Sequence, residues 1–327
     1  MKLILACVFS LAILLPCQLK AQGYRMDLPP LKTFPPTDVN ITNQSFVASW
    51  EAQDNSVARS ILAYVGLERK AMRNGIQNVL ETTIKGDPSL AKDSIKSLGL
   101  NAYLHDYMTA QGWFLRMGEV SKNGIILKTD ATLPQDWWTL LLSPVFDASH
   151  DGGKFKVKFT ATVQEAANEE EVILYVRHWA DRRGTEMESK SVKLIADGKA
   201  HEYEVECSNG MNNENISIQP ATGGTTIVLS GKIEVEQSLK TGDRLWHSIA
   251  LTQTNCPAGT NISKVNGQGV KIDTMKVVTS SGAKNVLNYQ LHKQQGWRLF
   301  YTLFQMIAAE DGMSTRASEY SQPVYFD

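Results

Sequence analysis

The residues best suited to recognition chemistry are Trp113, Trp137, Trp138, Trp179, Trp246 and Trp297, which fall near the ends of predicted strands or in loops. A flat indole stacks on the apolar C–H face of a pyranose ring, and neighbouring polar groups then fix the hydroxyls. Trp137-Trp138 follows Gln135-Asp136, and Arg177 lies two residues before Trp179. Adjacent residues on a strand face opposite ways, so one of Trp137 and Trp138 can be core while the other is open. The candidate ligand-binding residues are therefore Trp138, Trp137, Trp179, Arg177 and Asp136, with a glycan as the expected ligand. Packing in a core or at a sheet edge is the competing reading for each tryptophan.

Signatures for other chemistry are absent or unsupported. The chain has no His-Glu-x-x-His, no Gly-x-x-x-x-Gly-Lys-Ser/Thr, no Gly-x-Gly-x-x-Gly and no Gly-x-Ser-x-Gly. His105, His150, His178, His201, His247 and His292 form no i, i+3 or i, i+4 pair, so each reads as a surface or packed histidine. Ser89-Leu90-Ala91-Lys92, Ser121-Lys122-Asn123 and Lys240-Thr241-Gly242 occur in the order of an acyl-transfer site, with Ser89 as nucleophile and Lys92 as base. Such a site needs a large helical domain between its second and third motifs, whereas 154–237 is strand-like. Ser89 is then a helix start and 240–242 a turn. Paired carboxylates for glycoside hydrolysis leave no local signature, so a hydrolase with its acid pair in loops is the second reading. Glu169-Glu170-Glu171 reads as a solvated loop. Asp147, Asp151 and Asn168 offer oxygen ligands for a structural Ca²⁺, and no other cofactor is expected.

The elements that must position these residues are strands. Phe155, Val157, Phe159, Ala161 and Val163 alternate with Lys154, Lys156 and Lys158, which predicts a half-buried antiparallel strand after the Asp151-Gly152-Gly153 turn. Val172–Arg177, Ser191–Ile195, His201–Cys207, Thr225–Ser230 and Lys232–Gln237 give five more, with a turn at Asp197-Gly198. Phe46, Ala48 and Trp50 share one strand face, and Ser60–Leu67 follows as a second strand. Arg244–Thr252, Val270–Val278 and Tyr301–Ala309 are strand-like near the end. Many short strands separated by Gly and Asp turns predict β-sandwiches.

Length and composition bound the rest. The chain has 327 residues, a net charge of −1, six His and four Cys. A balance this neutral carries no basic field for nucleic acid. Met1-Lys2, an apolar run over 3–16 and a polar stretch ending in Ala21 describe a secretory signal peptide over 1–21. The run is too short to span a bilayer, so a secreted or cell-surface protein without an integral membrane segment is expected. Pro16 fits poorly before a lipidated Cys17, which leaves a lipid anchor as the lesser alternative. Loss of 1–21 removes Lys2 and Lys20 and leaves a net charge of −3. Cys207 and Cys256 then either form one disulfide or stay as buried thiols.

Two resemblances follow from these residues. Phe46-x-Ala48-x-Trp50 with Tyr64 resembles the opening half of a fibronectin type III domain. Tyr301, Phe304, Met306, Ala308, Ser318, Ser321, Pro323 and Val324 resemble its closing half. Gly112-Trp113, Ser143-Pro144, Gly152-Gly153-Lys154-Phe155 and Lys240-Thr241-Gly242-Asp243 resemble the jelly-roll modules of secreted bacterial surface proteins, which are grouped with carbohydrate-binding and adhesin-type sandwiches. The expected fold is all-β, made of modular β-sandwiches. The signal peptide at 1–21 precedes a fibronectin-like segment at 22–100, a jelly roll at 101–238 and a second fibronectin-like segment at 239–327. One fibronectin-like domain split by the jelly roll is the less favoured arrangement. The resemblances imply a non-catalytic surface-associated protein that binds glycan, or a host or cell-surface protein, through the jelly roll. A secreted glycoside hydrolase or other hydrolase, and a structural protein-binding module, are the alternatives.

Overall fold

The computed structural model describes residues 25–54, 56–84, 107–108, 113–116, 118–130, 132, 139–167, 171–180, 185–256, 264–279, 285–308 and 315–327. The expected signal segment, the Ser89–Lys92 motif and the short helix expected to start at Ser89 lie outside these residues. The fold is all-β. No helix among the described residues is long and apolar enough to cross a membrane. The chain forms two compact units. A split unit takes its described residues from 25–69 and 248–327. An inserted unit takes its own from 70–84 and 107–247.

The chain enters through β1 (Arg25–Leu28), β2 (Thr33–Asn40), β3 (Ser45–Glu51) and β4 (Arg59–Lys70). Pro35 and Pro36 sit within β2, where the ladder to β3 shifts register between Phe34 and Thr37. Proline donates no backbone N–H, so an edge strand with irregular register is where it is tolerated.

The inserted unit opens with β5 (Gly75–Ile84), β6 (Tyr107–Met108), β7 (Phe114–Arg116), β8 (Glu119–Ser121), β9 (Gly124–Lys128) and β10 (Leu140–Leu142). It continues with β11 (Phe155–Ala166), β12 (Val172–Ala180), β13 (Thr185–Leu194), β14 (Ala200–Cys207), β15 (Glu214–Pro220) and β16 (Thr225–Leu239). One sheet runs β13-β12-β15-β10-β7-β6, and the other β14-β11-β16-β9-β8 with β5 also on β16. The predicted alternation of β11 is present. Phe155, Val157, Phe159, Ala161 and Val163 are buried, and Lys156 and Lys158 pair with Glu204 and Glu236 on the strands either side. The two strands expected over 225–237 are one. Gly231, at φ +69, lets β16 carry β9 on 226–229 and β5 on 231–239.

After β17 (Arg244–Cys256) come β18 (Lys264–Val265), β19 (Lys271–Val278), helix α1 (Tyr289–Gln294), β20 (Arg298–Ala308), β21 (Thr315–Ser318) and β22 (Val324–Tyr325). The split unit has one sheet in the order β18-β19-β3-β2 and another in the order β1-β21-β20-β4-β17, with β22 also on β20. Phe46, Trp50, Ile61, Val277 and Tyr301 fill its core. Phe46 contacts the rings of Tyr301 and Phe326 at 5.1 and 5.0 Å between centroids.

The expectation of three sequential modules is corrected by these pairings. β3 ladders with β19 from Ser45↔Val278 to Glu51↔Ile272, and β4 ladders with β20 from Arg59↔Ile307 to Glu68↔Arg298. The two flanking segments therefore build one unit, the arrangement less favoured on sequence. β5, assigned with the first flank, belongs to the inserted unit through β16. Alternation tells which face of a strand is apolar and says nothing about which strand lies beside it.

Candidate functional site

The sheet β13-β12-β15 of the inserted unit brings two of the predicted site residues together. Along β12, Val172, Leu174, Val176 and His178 are buried inward, while Ile173, Tyr175 and Arg177 are half-buried on the other face. Trp179 follows them on that face. Ser217 stands opposite Arg177 from β15, and Ser189 opposite it from β13. A register shift between His178 and Trp179 then sets Glu186 opposite Trp179.

Arg177 is held on two sides. Its guanidinium lies over the Tyr175 ring at 4.4 Å, and its Nε donates to Ser189 Oγ at 3.2 Å. Glu186 Oε2 stands 3.9 Å from the same Nε. Trp179 is 8% exposed, and its indole N–H donates to Ser217 Oγ at 3.1 Å. Its ring is thus packed, where an open stacking platform was expected. Tyr175 was missed on sequence, although its even spacing with Arg177 along β12 placed both on one face. Trp137, Trp138 and Asp136 lie outside the described residues. Trp113 is fully buried. Trp297 belongs to the split unit, where Arg69 lies over its ring at 4.5 Å.

Inward of the same strands sits a buried polar cluster around His178, a packed histidine whose carboxylate partners sequence reasoning missed. His178 Nδ1 is 3.1 Å from Glu214 Oε2, and Nε2 is 3.6 Å from Glu188 Oε2. Met211 N–H donates to Glu214 Oε1 at 3.0 Å. Burial pushes the Glu188 carboxyl up, but the Lys190 ammonium and the Ser208 N–H and hydroxyl outweigh it and hold Glu188 below the ordinary carboxylate value. Neither His178 nor Glu214 is open to a substrate, so this cluster is structural. The available signal was parity, since His178 continues the inward series 172, 174, 176.

Of the calcium set, Asp147 and Asp151 fall among the described residues. Asp147 Oδ1 accepts from Ser149 N–H and Oγ at 3.0 and 2.6 Å, and its Oδ2 faces His150 Nε2 at 3.6 Å. Asp151 is exposed, and Asn168 lies outside the described residues. Among the described residues, no group of three or more His, Cys, Asp or Glu side chains could hold a metal ion. Cys207 and Cys256 are both free and buried, each in its own unit.

No family model matches the chain, and no curated protein matches it. Solved structures of low identity do. A structure titled "CBM4 structure and function" is 13% identical, covers 39% of this chain and 88% of its own, and has a TM-score of 0.28. The CBM22-1 xylan-binding domain from Paenibacillus barcinonensis Xyn10C is 11% identical, covers 53% and 100%, and has a TM-score of 0.26. A family two carbohydrate esterase from Cellvibrio japonicus is 9% identical, covers 56% and 35%, and has a TM-score of 0.21. The expectation of a non-catalytic protein is withdrawn, because the matched structures include enzymes, this esterase among them.

Proposed function

We propose that the protein is carbohydrate-active and that its inserted unit engages a glycan on the β12–β13 strip. The observation that carries this reading is the strip itself. A fixed Arg177 lies between Ser189 and Ser217, half-buried Tyr175 lies between Ser191 and Gln219, and Glu186 stands alongside. An aromatic wall beside convergent polar groups is the composition of a sugar site. Hydrolysis at the strip would need a second carboxylate roughly 5–10 Å from Glu186, depending on mechanism.

The split unit supports a fibronectin type III-like reading. Taking β2, β3, β4, β17, β19, β20 and β21 in chain order as A, B, C, C′, E, F and G, its sheets contain A-B-E and C′-C-F-G. Tyr301, in the F position, donates its hydroxyl to Phe34 O on β2 and so ties the two sheets together. With the signal segment, this favours an exported, surface-associated protein. The test is incubation with a panel of plant and microbial polysaccharides, reading both retention on the polymer and release of reducing ends. Retention or release supports the reading, and neither, across the panel, refutes it.

A further inference from the structure

Resting on that glycan reading, we infer that Arg177 is a receptor for the carboxylate of a uronic-acid unit, so that the glycan is an acidic one. A guanidinium carries five N–H donors in a planar fork. In Arg177 only Nε is engaged, with Ser189 Oγ at 3.2 Å. Neither Nη has a hydrogen-bond partner among the described residues, so its four donors are unused there. Glu186 does not use them, because its contact is with Nε and at 3.9 Å is longer than a hydrogen bond.

The group is also prepared for an anion. The Arg177 side chain is 18% exposed, so bulk water hydrates it poorly and an incoming charge is weakly screened. The Tyr175 ring beneath it and Ser189 on Nε fix the plane of the fork before any ligand arrives. The hydroxyls of Ser189 and of Ser191, which stands opposite Tyr175 on β13, suit sugar hydroxyls and bring no charge of their own. Lys193, opposite Ile173 on the same face, adds a second exposed cation to the strip. A neutral hydroxyl uses one donor of such a fork. A carboxylate accepts two parallel N–H bonds, and on a glycan the common carboxylate is that of a uronate.

The experiment compares binding of the full chain to polygalacturonate, alginate and glucuronoxylan with binding to the carboxyl-reduced product of each. Poly-glutamate serves as a non-sugar carboxylate. At least one uronan should bind at least tenfold more tightly than its reduced form and than poly-glutamate. Arg177→Gln should erase that difference, and Arg177→Lys should keep part of it. Equal binding of a uronan and its reduced form overturns the inference while leaving the glycan reading intact, as does binding only to neutral polysaccharides. Equal binding of poly-glutamate overturns it in favour of an acidic protein partner. No binding to any polysaccharide overturns the glycan reading as well. The comparison between ligands is made on the wild-type chain, so it holds even if the Arg177 variants fold poorly.

Discussion

His178 Nδ1 lies 3.1 Å from Glu214 Oε2, with side-chain exposures of 1% and 0%. Breaking a buried pair by removing one partner leaves the other desolvated and uncompensated, at a cost of about 3–5 kcal/mol. Glu214→Leu should destabilise the inserted unit by about that much, because it also strips Met211 N–H of its acceptor. The double variant Glu214→Leu/His178→Leu should cost less than the sum of the two single changes. Chemical denaturation of the four chains measures this, and strict additivity would show that the pair is uncoupled.

Acid should loosen the same unit. The Glu188 carboxyl is held below its ordinary value of 4.5, so its contribution is present above the unfolded pKa. That contribution is lost as pH falls through the lower folded value. Glu188→Gln should therefore show a shallower loss of thermal midpoint between pH 5 and about pH 3 than the wild type. Parallel curves would contradict this.

Burial, with the Glu188 charge adding to it, pushes the Cys207 thiol up to about 12. The unfolded thiol ionises near 9.0, so between these values the unfolded chain binds fewer protons and stability falls as pH rises. Cys207→Ala should lose stability less steeply above pH 9. In the native protein at neutral pH, both Cys207 and Cys256 should react with a thiol reagent only slowly, and both should react at once in denaturant. Mass analysis should find no Cys207–Cys256 disulfide.

Much of the inserted unit was legible in its sequence. Phe155 to Val163 alternate so strongly that the inward face follows from period two alone. Asp151-Gly152-Gly153 announced the turn before that strand. Strand partners were not legible, because β3 and β19 lie more than 200 residues apart and any apolar strand face satisfies the same pattern. Within the site, Arg177 was legible through its place two residues before Trp179, and Tyr175 was not, because a tyrosine on an alternating strand reads equally as sheet packing. His178 read as a surface or packed histidine and is packed, whereas its partner Glu214 was not legible, because a polar residue at an inward position is visible only once the strand's parity is applied to every residue.

The shared core of the split unit makes a fragment prediction. Residues 22–100 alone should lack cooperative unfolding, since β3 and β4 there lose β19 and β20. Residues 70–247 should unfold cooperatively by circular dichroism, having both sheets and their own core. A cooperative transition in the first fragment would contradict the split arrangement.

Gly153 tests the turn that starts β11. A Cβ there would lie 2.6 Å from both N and O of Gly210, at φ +79. Gly198 has a similar φ of +73 and open space around it. Gly198→Ala should cost about 1–2 kcal/mol from backbone conformation alone. Gly153→Ala should cost clearly more, because backbone atoms must move. Equal losses in denaturant unfolding would show that the close approach to Gly210 is unimportant.

The most direct test of the central claim is the affinity of the wild type and of Tyr175→Ala for immobilised polysaccharides, measured in affinity electrophoresis. The wild type should be retarded by at least one polymer, and Tyr175→Ala, with an unchanged thermal midpoint, should lose at least about tenfold of that affinity, of the order of 1.4 kcal/mol. Retardation that Tyr175→Ala leaves unchanged would place any sugar site elsewhere and contradict the account.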